Sequence, residues 1–361
     1  MGKIKKVGIC TGGGDCPGLN AVIRSCVRYG MIDHGIELWG IKDSFNGLMD
    51  RPYNIRKLEL NDVTGILSKG GTILGTTNSG NPFSLKNGNQ EKGLDKSKMV
   101  VEAYKDLGLD CIIVIGGDGT QGIAFQLAEL GINVVGVPKT IDNDLAATDQ
   151  TVGFDTAVGI ASEAAERLHS TAESHDRVMI LEVMGRGAGH IALHAGIASG
   201  SHIILIPEIP FEYEPILNKI TQRKKNGKFF SVIVCAEGAH EANQSQQFKT
   251  NAIGSKNLGG IGQTVAHEVS KRLSIDTRVT VLGHTQRGGS PSPRDKILGA
   301  AYGVAAIDMV MNQQYGKIVS YQKGAFTQID YSDVAGRFRP VGSDDPLLKT
   351  AESTGICLGR S

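Results

Sequence analysis

Short apolar runs alternate with stretches of helical period along most of this chain. Residues 7–10, 36–41, 111–115 and 132–137 in the first half, and 177–183, 203–206, 231–235 and 278–282 in the second, are dominated by Val, Ile and Leu. Runs of this kind suit strands buried on both faces of a parallel sheet. Between them, residues 20–31, 95–108, 121–130, 156–172, 188–198, 215–222, 262–273 and 295–311 read as helices. Met99, Val100, Ala103, Tyr104 and Leu107, for example, fall three and four apart, which predicts one buried helical face. Alternation of strand and helix through short links predicts an α/β fold. We expect two doubly wound (Rossmann-like) three-layer domains with mainly parallel sheets and an active site in the cleft between them. One domain should span residues 1–153 plus about 290–320, and the other 154–289 plus the C-terminal tail. Residues 336–361 show no strong period.

Length and charge narrow the classes. A chain of 361 residues exceeds the size at which one core keeps growing, which favours two domains. The 38 Lys and Arg nearly balance 37 Asp and Glu, so no general electrostatic case for nucleic acid or membrane binding exists, and any phosphate site must be built locally. No window approaches about 18 uninterrupted apolar residues. Cys10, Cys16, Cys26, Cys111, Cys235 and Cys357 form no C-x-x-C pair, and reduced thiols in a cytoplasmic protein are expected. The 48 glycines gather at strand ends rather than in a low-complexity block, a distribution that suits backbone closing on phosphate oxygens.

Three of those strand ends carry candidate chemistry. The run at 7–10 leads into Thr11-Gly-Gly-Gly-Asp-Cys-Pro-Gly18, a strand, glycine loop, helix order that matches neither the Walker spacing nor G-x-G-x-x-G. The run at 111–115 leads into Gly116-Gly-Asp-Gly-Thr120, and that at 132–137 into Pro138-Lys-Thr-Ile-Asp-Asn-Asp144. Extended backbone at the last would point Asp142 and Asp144 the same way. Phosphoryl transfer needs a carboxylate for magnesium, donors around the moving group and a base for the attacking hydroxyl. Asp118 in its glycine turn is the metal candidate. Asp142 is the base candidate, helped by Asp144, with Lys139 and Thr140 facing the transferring group. The same three polar residues at 142–144 also suit a turn that hydrogen-bonds its own backbone. In the second half Arg177, Met184 to Arg186, Arg278 and His284 to Arg287 flank strand ends, and arginine forks match phosphate monoesters. Glu237 could accept from sugar hydroxyls, and Phe45 either stacks on a base or fills the core.

Gly-Gly-Asp-Gly-Thr, Thr-Ile-Asp-Asn-Asp, Val-Met-Gly-Arg and Leu-Gly-His-Thr-Gln-Arg-Gly-Gly-Ser-Pro, in this order and spacing from about Lys6 to Asp308, resemble the 6-phosphofructokinase family. The ending at 345–359 resembles its mixed-substrate (ATP or pyrophosphate) branch. The resemblance implies transfer of the γ-phosphoryl of ATP to the 1-hydroxyl of fructose 6-phosphate, giving fructose 1,6-bisphosphate and ADP in glycolysis. It makes Asp142 the proton acceptor and Asp118 the Mg2+ ligand, and puts Gly14, Gly117, Asp118, Gly119 and Thr120 on the donor. Thr140, Ile141, Asp142, Met184, Gly185, Arg186, Glu237, His284, Thr285, Gln286 and Arg287 would hold the sugar phosphate. Arg177 and Arg278 match arginines given by a neighbouring subunit, implying a homodimer or homotetramer. The first domain becomes the donor domain and the second the fructose 6-phosphate domain.

Donor choice rests on two positions. Family members that use pyrophosphate typically carry Asp where this chain has Gly119, and Lys as at Lys139, whereas bacterial ATP enzymes carry Gly at both. Glycine at 119 leaves space for an α-phosphate that an Asp would fill and repel, so ATP is the expected donor and pyrophosphate the alternative. Many relatives carry an arginine near Asn78-Ser79, and this chain has none there. Arg24 and Arg28 match effector-site positions of allosteric members. NAD kinases and diacylglycerol kinases share Gly-Gly-Asp-Gly-Thr but lack the block at 284–289, and a sugar-phosphate sensor would not need both Asp118 and Asp142.

Overall fold

The computed structural model describes residues 4–85, 93–146, 148–250 and 256–360. In chain order come β1 (Lys6–Thr11), α1 (Leu19–Ile32), β2 (Glu37–Ile41), β3 (Ile55–Leu58), α2 (Ser97–Asp106), β4 (Cys111–Gly116), α3 (Asp118–Glu129) and β5 (Val134–Pro138). The middle of the chain supplies α4 (Phe154–Ser174), β6 (Val178–Val183), α5 (His190–Ala198), β7 (Ile203–Leu205), α6 (Tyr213–Lys225), β8 (Ser231–Ala236), the short β9 (Phe248–Thr250) and β10 (Lys256–Leu258), α7 (Ile261–Leu273) and β11 (Thr277–Val281). Last come α8 (Pro293–Met311), β12 (Lys317–Gln322), β13 (Ala325–Asp330) and α9 (Pro346–Ser353). The chain divides into two compact units. The first holds Met1–Ile141, Leu145–Asp155 and Arg287–Phe338, and the second holds Asp142–Asp144, Thr156–Gln286 and Arg339–Ser361.

The first unit is built on a seven-stranded sheet of order β13-β12-β5-β4-β1-β2-β3. Its five central strands run parallel, and only the edge strands β3 and β13 are antiparallel to their neighbours. Cys111 to Gly116 are buried throughout, as expected of a strand covered on both faces. Phe45 is fully buried among Ile41, Leu48, Ile112 and Val114, so it fills the core.

The second unit holds a four-stranded, wholly parallel sheet of order β11-β6-β8-β7. Its core joins Ile180, Leu205, Phe211, Ile216, Ile233 and Val265, and each such side chain contributes about 1.5–3 kcal/mol on burial. Glu182 lies almost fully buried in β6 and accepts from Gly260 N and Gly262 N at the start of α7, at 3.0 and 2.8 Å. Those donors offset the cost of burying a carboxylate and complement the helix dipole.

Four elements had no apolar signature to announce them. β3 reads Ile-Arg-Lys-Leu with both charged residues exposed. β12 and β13 form a hairpin across Lys323 and Gly324, both at positive φ (49 and 85°), the geometry that matches strand twist in a two-residue turn. α9 lies in the tail and is announced only by its cap. Asp345 accepts from Leu347 N at 2.9 Å, and Pro346 opens the helix. All six cysteines are free thiols, five of them buried.

Candidate functional site

In the first unit, the parallel neighbours β1, β4 and β5 end in register, Thr11 beside Ile115 and Gly116 beside Pro138. The loops that follow them therefore leave one edge of the sheet. Chain order reverses between β1 and β4, which is the switch point where open α/β sheets hold ligands. Close approach demands glycine here: a Cβ on Gly12 would lie 2.6 Å from Thr120 Cγ2, and one on Gly116 only 2.4 Å from it. The loop at 70–83 closes on this one, as Gly13 N donates to Thr77 O (3.0 Å) and Thr76 Oγ1 to Gly13 O (2.6 Å). Lys139, 3% exposed, donates from Nζ to Gly14 O at 2.6 Å. Arg287, which belongs to this unit, donates to Asp15 O at 3.1 Å and lies against Gly14. Two cations thus converge on one glycine loop, an arrangement that attracts anions.

Asp118 is exposed at the first position of α3, where the helix dipole favours a carboxylate. Its Oδ1 accepts from Gly336 N at 3.0 Å. A single exposed carboxylate at a glycine turn fits Mg2+, which keeps several waters and completes its shell with substrate phosphates. Gly119 follows, and a Cβ there would meet nothing within 4 Å. Behind the turn, the buried Gln121 donates to Gly116 O (3.0 Å) and Val137 O (2.9 Å), tying the ends of β4 and β5 together.

In the second unit chain order reverses at β6, between β11 and β8. The turn after β6 is tight: Gly185 has φ 149° and Arg186 φ 52°, and a Cβ on Gly185 would lie 2.5 Å from Ala188 O. Glu237, just past β8, accepts from Gly185 N and Arg186 N at 3.3 and 3.0 Å, and Gln286 accepts from Met184 N at 2.8 Å. Gln286 is fully buried, so its side chain serves this turn. His284 and Thr285 are exposed beside it. Arg177 and Arg278 stand elsewhere, at the amino-terminal ends of β6 and β11, where both bind Asp276; Arg177 Nε does so at 2.6 Å.

The segment Asp142-Asn-Asp144 is not extended. Asn143 adopts the left-handed conformation at φ 55°, so Asp142 and Asp144 are not related by strand alternation, contrary to the expectation from sequence. β5 ends at Pro138, and the backbone beyond it is taken up by a remote partner: Arg339 N donates to Asp144 O at 2.9 Å and Arg339 Nε to Asn143 O at 3.2 Å. Ile141 is fully buried, and its side chain belongs to the interior. Asp142 is 3% exposed, with the exposed guanidinium of Arg186 at 3.8 Å from its Oδ2. Gln121, Glu208, His190 and Arg339 carry no predicted role, and only Gln121, next to the Gly-Gly-Asp-Gly-Thr turn, and His190, at the end of the glycine-rich stretch after β6, had a neighbouring signal.

Carboxylates and glycine turns at the carboxyl ends of parallel strands, with lysine and arginine on one glycine loop, mark the class as α/β proteins that handle phosphate groups. The Phosphofructokinase family model matches residues 6–310, and the chain belongs to that family. It is 46% identical over 360 residues to the "ATP-dependent 6-phosphofructokinase 1" of Synechocystis sp., covering 99% of each chain. It is also 46% identical over 357 residues to the "ATP-dependent 6-phosphofructokinase" of Chloroflexus aurantiacus, covering 99% of this chain and 98% of that one. Among solved structures, Pichia pastoris phosphofructokinase in the T-state gives a TM-score of 0.80 at 26% identity, with 98% of this chain spanning 37% of the yeast one. The pyrophosphate-dependent phosphofructokinase of Marinobacter aquaeolei also gives 0.80, at 22% identity and with 98% and 88% coverage, a likeness of fold alone.

Proposed function

We propose that this chain is a 6-phosphofructokinase that transfers the γ-phosphoryl of ATP to the 1-hydroxyl of fructose 6-phosphate. The observation that carries the choice of donor is the empty surround of Gly119: the fold needs no glycine there, and its presence keeps room for a nucleotide's α-phosphate. The names of the relatives that match end to end support the same donor. Gly14 and Gly117 to Thr120 cradle the donor, with Lys139 supplying positive charge; Arg287, read from the sequence as a sugar-phosphate contact, lies against Gly14 and can serve the donor as well. Asp118 holds Mg2+, which when bound offsets the charge of the phosphates. Asp142 takes the proton of the sugar hydroxyl, and Thr140 lies beside the moving group. The turn at Met184 to Arg186, held by Glu237 and Gln286, and the exposed His284 and Thr285 bind fructose 6-phosphate.

Arg177 and Arg278, set at the opposite strand ends from the Met184 turn, are offered to a neighbouring copy in a homodimer or homotetramer. Product formation from fructose 6-phosphate and magnesium, with ATP and pyrophosphate in parallel, tests the reading. Turnover with ATP is expected. Turnover with pyrophosphate alone would hand donor choice to Lys139 and overturn the argument from Gly119.

A further inference from the structure

The carboxylate segment at 142–144 is held by residues that no motif contains. Arg339 commits three groups to this neighbourhood: its amide to Asp144 O (2.9 Å), its Nε to Asn143 O (3.2 Å), and its carbonyl to His190 Nε2 (3.2 Å). His190 opens α5 and is 5% exposed. Two residues beyond Arg339, Val341 N donates to Glu208 Oε1 at 2.8 Å, and the same oxygen accepts from Gly189 N at 2.9 Å. Glu208 therefore fastens the residues around Arg339 to the start of α5, and Arg339 in turn fastens Asn143 in a left-handed conformation that non-glycine residues seldom adopt.

We infer that Arg339 and Glu208 are positioning residues for the Asp142 carboxylate: they act in series, Glu208 fixing Arg339 and Arg339 fixing the turn that aims Asp142. The inference rests on the assignment of Asp142 as base. A residue that only sets the aim of a base lowers kcat and leaves sugar affinity in place, because the reacting geometry, not the phosphate contacts, is what loosens.

The test uses the full chain with Arg339→Met, Glu208→Ala, their double variant, and the conservative Arg339→Lys and Glu208→Gln. The last keeps an oxygen for both amides. Expected are kcat losses of about ten-fold or more in each disruptive single variant, with KM for fructose 6-phosphate within about three-fold. The double variant should be no worse than about two-fold beyond the poorer single, since residues acting in series are non-additive. Each conservative variant should recover most of the loss. Hydrogen exchange at the amides of 142–145 should quicken in Arg339→Met, whatever the reaction. Unchanged kcat, a raised KM at constant kcat, additive losses, or unaltered exchange in a folded Arg339→Met variant would each overturn the inference. If the wild-type chain phosphorylates fructose 6-phosphate with neither donor, the functional reading fails, and the exchange arm still decides this one.

Discussion

Residues 12–15 in the first unit and 142–144 in the second are both irregular backbone carrying candidate chemistry, and they are held by different means. The glycine loop is secured by neighbours at the same sheet edge: Thr76 and Thr77, the turn residue Thr120, and Lys139 beyond β5. The carboxylate segment is secured by Arg339, which lies 196 positions away in sequence. Directed hydrogen bonds hold both, with close steric fit added at the first; what differs is the reach, since the partners of the first stand at its own sheet edge and Arg339 stands far along the chain. A loop fastened by several near neighbours tolerates the loss of one polar group better than a turn fastened through one distant residue.

The sharpest way to separate the two is to strip function from each without disturbing its backbone. Asp142→Asn keeps shape and volume but removes the proton acceptor, and should lower kcat by about 10³-fold with fructose 6-phosphate affinity retained; normal turnover in steady-state kinetics would remove Asp142 from the role of base. Gly119→Asp works on the first unit. Because a Cβ at that position meets nothing within 4 Å, thermal stability should hold while kcat/KM for ATP falls by about 10 to 100-fold through charge repulsion; undiminished use of ATP would show that the space beside Gly119 is not donor space.

The smallest effect expected is with acid, and it falls on the second unit. Burial displaces the titration of four histidines there downward: His169, His190, His194 and His202. Burial, then the charge of Arg339, pushes His190 down to about 4, while His194 opposes its protonation further and Asp345 favours it. Burial, then Arg223, pushes His202 down to about 3, and Val232 N donates to its Nδ1. An unfolded histidine titrates near 6.5, so above that pH both states are neutral and stability is whole. Below it the unfolded chain takes up protons that the folded chain refuses, so stability falls as the pH drops from there towards the folded values. Melting should come earlier at pH 5 than at 7.5. Exchange at 142–145, corrected for intrinsic rates, should rise more than at 12–15; equal protection in both would break the contrast.

Much of this was legible in the chain. Strand runs such as 111–115 are apolar because they are covered on both faces, and Asp118, Lys139 and Asp142 could be picked out because they follow such runs directly. β12 and β13 were hidden by mixed polarity, with β13 at the sheet edge, and α9 by its brevity. Arg339 and Glu208 were illegible for a deeper reason: their worth lies in which backbone groups they meet, and one sequence does not pair positions so far apart. Of the two readings of 142–144, extended strand and polar turn, the left-handed Asn143 goes against the first, and nothing local signals where Arg339 takes over.

The bare surround of Gly119 has a consequence for how such a chain can change over generations. A new side chain there would find open space, so lineages can explore it without first repairing their interior. Substitutions at 119 are then sifted by what they do to a bound ligand and hardly at all by foldability.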